Sequence, residues 1–193
     1  MAVVAVDLAA RYSATVALST GGCVEHQFDS ALCGETGFIT SITNVAVAGF
    51  YGALIVEDLP HGVGYKSAVK RVCQIQGRIV DRMWSTGQLD MLIFVAPATW
   101  RYHYEPLRKQ HQGMDAVIAV AADLGYTPPP LTHLEGPRGG RGIADKVQTD
   151  YCAAYLIGHW ANDMHHAHGT YDVPGTNRYG KPTRRRAQGM KPA

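Results

Sequence analysis

Short apolar runs and longer stretches with apolar residues every three or four positions share this chain of 193 residues. Val3–Val6, Ala14–Leu18 and Cys23–Phe28 read as three consecutive strands of a meander, with Ser19-Thr20-Gly21-Gly22 as the turn between the second and third. Residues 29–50 fit either a loop or a helix. Ala53–Val56 is a buried strand that runs into Glu57 and Asp58 and stops at Pro60. A helix is predicted from about Tyr65 to Trp84, because Val69, Val72, Cys73, Ile79, Val80, Met83 and Trp84 recur at helical spacing. "MLIFVAPATW" supplies a fifth strand. A second helix is predicted over 106–124, ended by the Pro-rich "YTPPPL", and a closing helix from about Asp145 to Trp160. The tail from residue 163 lacks sustained periodicity and predicts little order of its own.

This order, three antiparallel strands followed by strands alternating with helices, predicts a mixed five-stranded α/β sheet covered by helices. Its domain spans residues 1–162 and is followed by a basic tail. Two carboxylates then stand out, since Asp7 ends the first strand and Glu57 ends the fourth, and both strands are too apolar for a sheet edge. A carboxylate there is costly to bury unless it is paired, hydrogen-bonded or bound to a cation. If the two strands are neighbours, the two acids meet at one rim. The closing helix offers two more, Asp145 and Asp150. Carboxylates gathered without matching Lys or Arg repel unless divalent cations neutralise them. Oxygen donors favour Mg²⁺ or Mn²⁺, and two such ions are a common device for in-line attack of water on a phosphodiester.

Each acid also has a plainer explanation. Asp7 can cap a turn, Asp58 rather than Glu57 can point inward, and Asp150 can face solvent. Asp145 with Gln148 has the spacing of a helix N-cap and its capping-box partner.

Net charge is only +2, but it is unevenly spread. Residues 137–193 carry nine Lys or Arg against four Asp, or +5, and the first 136 carry nine against twelve acids, or −3. A basic C-terminal part suggests a polyanionic partner, with nucleic acid the commonest. No apolar run reaches membrane-spanning length and no signal-peptide layout opens the chain, so the expected setting is cytoplasmic. Cys23, Cys33, Cys73 and Cys152 include no CxxC pair and read as reduced thiols.

The first strand ending in Asp7, "IVEDLP", "QIQGRIV" and "ADKVQTDYCAAYLIGHW" together resemble the RuvC type of Holliday-junction resolvase, in particular its diverged bacteriophage members. The resemblance spans roughly residues 1–160 and leaves the tail unmatched. It implies an RNase H-like fold, a homodimer and Mg²⁺-dependent cutting of four-way DNA junctions, in a bacterial host if the chain is phage-encoded. It also implies two metal ions per active site, held by Asp7 on the first strand, Glu57 on the fourth, and Asp150 on the closing helix. The family places its last two ligands three positions apart, whereas Val147 stands three before Asp150. Asp145 stands five before, which on a regular helix is about 140° away; it is a ligand only if the first turn bends.

Candidate DNA contacts follow. Arg138, Arg141 and Lys146 lie in the Gly-rich "EGPRGGRGIADK", where backbone and guanidinium groups can approach phosphates, unless the segment is only a linker. Arg101 and Lys109 belong to "WRYHYEPLRKQ", whose interleaved aromatic and basic residues suit stacking on bases or, equally, burial at a strand end. Arg184, Arg185 and Arg186 form a basic run in the tail. The helix Tyr65–Trp84 is the candidate dimer contact, with packing against its own sheet as the alternative.

Overall fold

The structure is a computed structural model that describes residues 2–48, 51–59, 67–108, 113–132, 140–173 and 175–178, with the backbone alone at 140–143 and 177–178. Strands β1 (Val3–Asp7), β2 (Ala14–Leu18), β3 (Val24–Asp29), β4 (Ala53–Glu57), β5 (Leu92–Val95) and β6 (Thr176–Arg178) form one sheet in the order β3-β2-β1-β4-β5-β6. β1, β2 and β3 pair antiparallel, and β4 and β5 continue the sheet parallel to β1. This is the expected five-stranded arrangement. The short β6 is an addition: it pairs antiparallel with β5 and comes from the segment predicted to lack order.

Among the described residues five helices cover the sheet: α1 (Ser30–Val47), α2 (Ser67–Ser85), α3 (Pro97–His103), α4 (Met114–Asp123) and α5 (Gly140–His168). The ambiguous segment after β3 is thus α1. Asp29 caps it by accepting from the Leu32 amide at 2.6 Å, and the backbone breaks from helical geometry at Gly34, where φ is 69°. Only the second half of the helix predicted over 106–124 forms α4 among the described residues; Glu105–Leu107 is a single 3₁₀ turn.

Two cores sandwich the sheet. Val4, Val6, Leu54, Val56, Leu92 and Phe94 face α1 and α2, whereas Val3, Ala5, Ala53, Ile55, Ile93 and Val95 face α3, α4 and α5. Burial on both faces explains why β1, β4 and β5 read as continuous apolar runs. In α2 the buried stripe is Val72, Ile75, Ile79 and Met83, all directed at the molecule's own sheet. Cys73 is exposed, and Trp84 is 71% exposed.

The long helix α5 lies across β1 and β2. Their approach is close at Gly158, where a Cβ would stand 2.5 Å from Leu18 Cδ1 and 3.2 Å from Ala5 Cβ. α5 begins five residues before Asp145 and ends eight beyond Trp160. Asp145 is therefore not its N-cap. The chain stays helical through Gly140 and Gly142, although each interior glycine costs a helix ~1 kcal/mol.

Candidate active site

Side-chain alternation decides where the strand-end acids point. Asp7 follows Val3 and Ala5 in β1, and Glu57 follows Ala53 and Ile55 in β4, so both project toward α5. The strands are parallel neighbours with Val6 opposite Val56, which places the two carboxylates side by side at the C-terminal rim. Ligands of open α/β sheets gather at this rim. Asp58 has the opposite parity: its Oδ1 accepts from the Leu59 amide at 2.8 Å and from Gln76 Nε2 of α2 at 3.4 Å. The alternative of an inward Asp58 is thereby settled against.

α5 contributes the third acid. Asp150 lies eight residues, about 12 Å along a helix, before the Gly158 contact and is only 6% exposed. Its charge acts on Glu57, and that of Asp7 acts on it, so the three carboxylates share one site. Tyr151, the next residue, donates its hydroxyl to Asp29 Oδ2 at 2.9 Å, tying this turn of α5 to the cap of α1.

Burial is the main force on all three acids. It pushes Asp7 well above the usual carboxylate range, helped by the charge of Glu57 and by a hydrogen bond between the two. Glu57 is raised by burial too, while hydrogen bonds from Asp7 and from Trp100, and the charge of Arg101, pull it back. Trp100, itself fully buried on α3, donates Nε1–H to Glu57 Oε1 at 2.8 Å. Asp150 is pushed up to about 7 by burial and then by Asp7, against the opposing pull of Lys146. Two neighbouring buried carboxyls that hold one proton between them are the condition that a cation relieves.

Two basic side chains reach the cluster. Lys146 Nζ donates to both oxygens of Asp150, at 3.0 Å and 2.8 Å, one helical turn away, and its charge also acts on Asp7. The charge of Arg101 acts on Asp7 and Glu57, its guanidinium stands 5.1 Å from the Trp100 ring, and its buried Nε has no hydrogen-bond partner among the described residues.

An all-carboxylate donor set that resists simultaneous ionisation fits a hard divalent cation such as Mg²⁺ or Mn²⁺. Asp7 and Glu57 are adjacent and ready for it. Among the described residues, however, no three His, Cys, Asp or Glu side chains already stand at metal-holding spacing, and Lys146 engages both oxygens of Asp150.

Of the other predicted site residues, Asp145 is solvent-exposed, on a different side of α5 from the buried Asp150. A regular helix carried through this segment keeps the offset that five residues impose. Lys109, Arg138, Arg184, Arg185 and Arg186 lie outside the described residues, and Arg141 is described by its backbone alone. Of the aromatic residues near Arg101, Trp100 and Tyr104 are buried, whereas Tyr102 is 68% exposed with Arg108 against its ring. Sequence reasoning did not give Trp100 its role beside Glu57. It also missed the Lys146–Asp150 pair, although i,i+4 spacing was a visible signal.

No protein-family model matches the chain, and no curated protein does. Solved structures do. A Thermus thermophilus RuvC structure matches with a TM-score of 0.54 at 13% identity, covering 85% of this chain and 96% of that one. T. thermophilus RuvC in complex with a Holliday junction substrate matches with a TM-score of 0.55 at 12% identity and the same coverage. With the strand order, the crossing of α5 and the spread of the match in agreement, the chain has a RuvC-like form of the RNase H fold.

Proposed function

We propose that this chain is a divalent-cation-dependent endonuclease that cuts branched DNA, with four-way junctions as its substrate. The observation that carries this reading is the meeting of Asp7, Glu57 and Asp150, from two strands and a helix, at one rim of the sheet. That one matching solved structure is RuvC with a Holliday junction supports the choice of substrate.

Asp7 and Glu57, with the charge of Asp150 beside them, would hold Mg²⁺, which when bound activates water and stabilises negative charge on the phosphate. The chain's own groups do the rest. The Trp100 indole fixes the rotamer of Glu57 by donating to one oxygen, leaving the other for the ion. Arg101 sits beside the acids, and its charge suits an incoming phosphate. The described site presents its acids on a rim rather than in a closed cavity, and a rim admits a duplex backbone. Paired cuts across a four-way junction need two such sites related by a two-fold axis, so a homodimer belongs to the proposal.

The test is Asp7→Asn on a synthetic four-way junction with Mg²⁺. Cleavage should fall by at least about 10³-fold while junction binding persists. Retained cleavage would remove Asp7 from the chemistry. A second reading, a junction-binding protein that does not cut, is favoured by the engagement of both Asp150 oxygens with Lys146. Absence of product from the wild-type protein, together with binding that is independent of Mg²⁺, would select it.

A further inference from the structure

We propose that this site takes one divalent ion rather than two, and that the Lys146 ammonium supplies the positive charge a second ion would bring. The inference rests on the metal-dependent reading above and concerns only how many ions the chain's own residues leave room for.

Three observations lead to it. The described acids of the site number three, because Val147, three residues before Asp150, is fully buried and apolar, and Asp145 faces solvent. Lys146 Nζ holds both oxygens of Asp150, the bidentate contact that a cation on that carboxylate would make. Finally, three carboxylates against the charges of Lys146 and Arg101 leave a net formal charge of −1. One divalent ion brings that to +1, matched to an incoming phosphodiester. A second would bring it to +3 at a rim with no further described carboxylate to offset it, and like charges gathered within a few ångströms repel. The geometry agrees, because Asp7 and Glu57 form an adjacent pair on the strands while Lys146 and Asp150 form the opposing pair on α5. The ion belongs to the first pair and the ammonium to the second.

A lysine here also differs from a metal in having no open coordination position. It can hold a phosphate oxygen as a point charge, as lysines in phosphate sites do, without being lost to chelators.

Counting Mn²⁺ bound to the full-length protein, by electron paramagnetic resonance of the free ion during titration, tests the inference without any turnover. The wild-type chain should bind one Mn²⁺. Lys146→Met, which frees Asp150, should bind two, and Lys146→Arg should return to one. Two ions on the wild-type chain, or one on Lys146→Met, would overturn the proposal. No bound Mn²⁺ on the wild-type chain would overturn it together with the metal-dependent function, whereas two would leave that function standing. The wild-type count decides even if the Lys146→Met protein proves poorly folded.

Discussion

Asp150→Asn tests the electrostatic description of the site through stability rather than activity. In the folded chain the Asp150 carboxyl is pushed up to about 7, from 3.8 in an unperturbed chain, chiefly by burial. The folded state therefore binds this proton more tightly than the unfolded state does. Stability is retained below pH 4 and is lost as pH rises toward and through 7. Above pH 7 the loss is complete and amounts to about 4 kcal/mol, at 1.36 kcal/mol per pH unit. Near pH 5 it is about 1.5 kcal/mol. An asparagine cannot ionise, and the Lys146 side chain it leaves behind is 43% exposed and can be hydrated. In the absence of divalent cations the variant should thus be more stable than wild type, by about 4 kcal/mol at pH 8 and about 1.5 kcal/mol at pH 5. For a chain of this size that means a melting temperature about 8–16 °C higher at pH 8. Differential scanning calorimetry in EDTA measures both. Adding Mg²⁺ should raise the wild-type transition, through about 2.7 kcal/mol at a hundredfold excess over the dissociation constant, and raise that of the variant less because the Asp150 charge beside the ion is gone. A variant less stable than wild type at pH 8, or a difference that does not change with pH, would refute the reasoning.

Other consequences follow from single contacts. Gly158→Ala should lose about 1–3 kcal/mol in urea unfolding, because its methyl group meets Leu18 and Ala5 in a closed core. Trp100→Phe keeps an aromatic ring in the core, though a smaller one, and removes the 2.8 Å hydrogen bond to Glu57; it should weaken Mg²⁺ affinity about 10–100-fold in a calorimetric titration. Asp145→Asn, at an exposed position, should leave junction cleavage within about twofold of wild type; a larger loss would place it in the site after all. Junction binding should weaken steeply between 50 and 200 mM salt if phosphates dominate the contact, and a flat response would count against the basic residues.

Much of this architecture could be read from residue order. The apolar strands ending in acids, the meander at the start and the helical repeat that includes Val72, Ile79 and Met83 are local patterns, and local patterns survive without tertiary information. What went astray was also local in cause. The expected start of α5 near Asp145 is five residues late, because the helix runs on through Gly140 and Gly142, both poor helix formers. The segment after Trp160 looked unstructured because β6 has three residues and gains its order from pairing with β5.

Asp7 and Glu57 could be named from the chain because a carboxylate ending a wholly apolar strand demands a partner, whereas Asp150 is singled out from Asp145 by the family resemblance. The demand is written in one dimension and its answer in three. Strand alternation and the parallel pairing of β1 with β4 aim Asp7 and Glu57 together and turn Asp58 away. The tight seat of Gly158 on Ala5 and Leu18 sets the depth of α5, which brings Asp150 to the same rim and leaves Asp145 in solvent. The indole of Trp100, 43 residues from Glu57, and the charge of Arg101 join the site because β4 and β5 are neighbours, and spacing along the chain carries no trace of that adjacency.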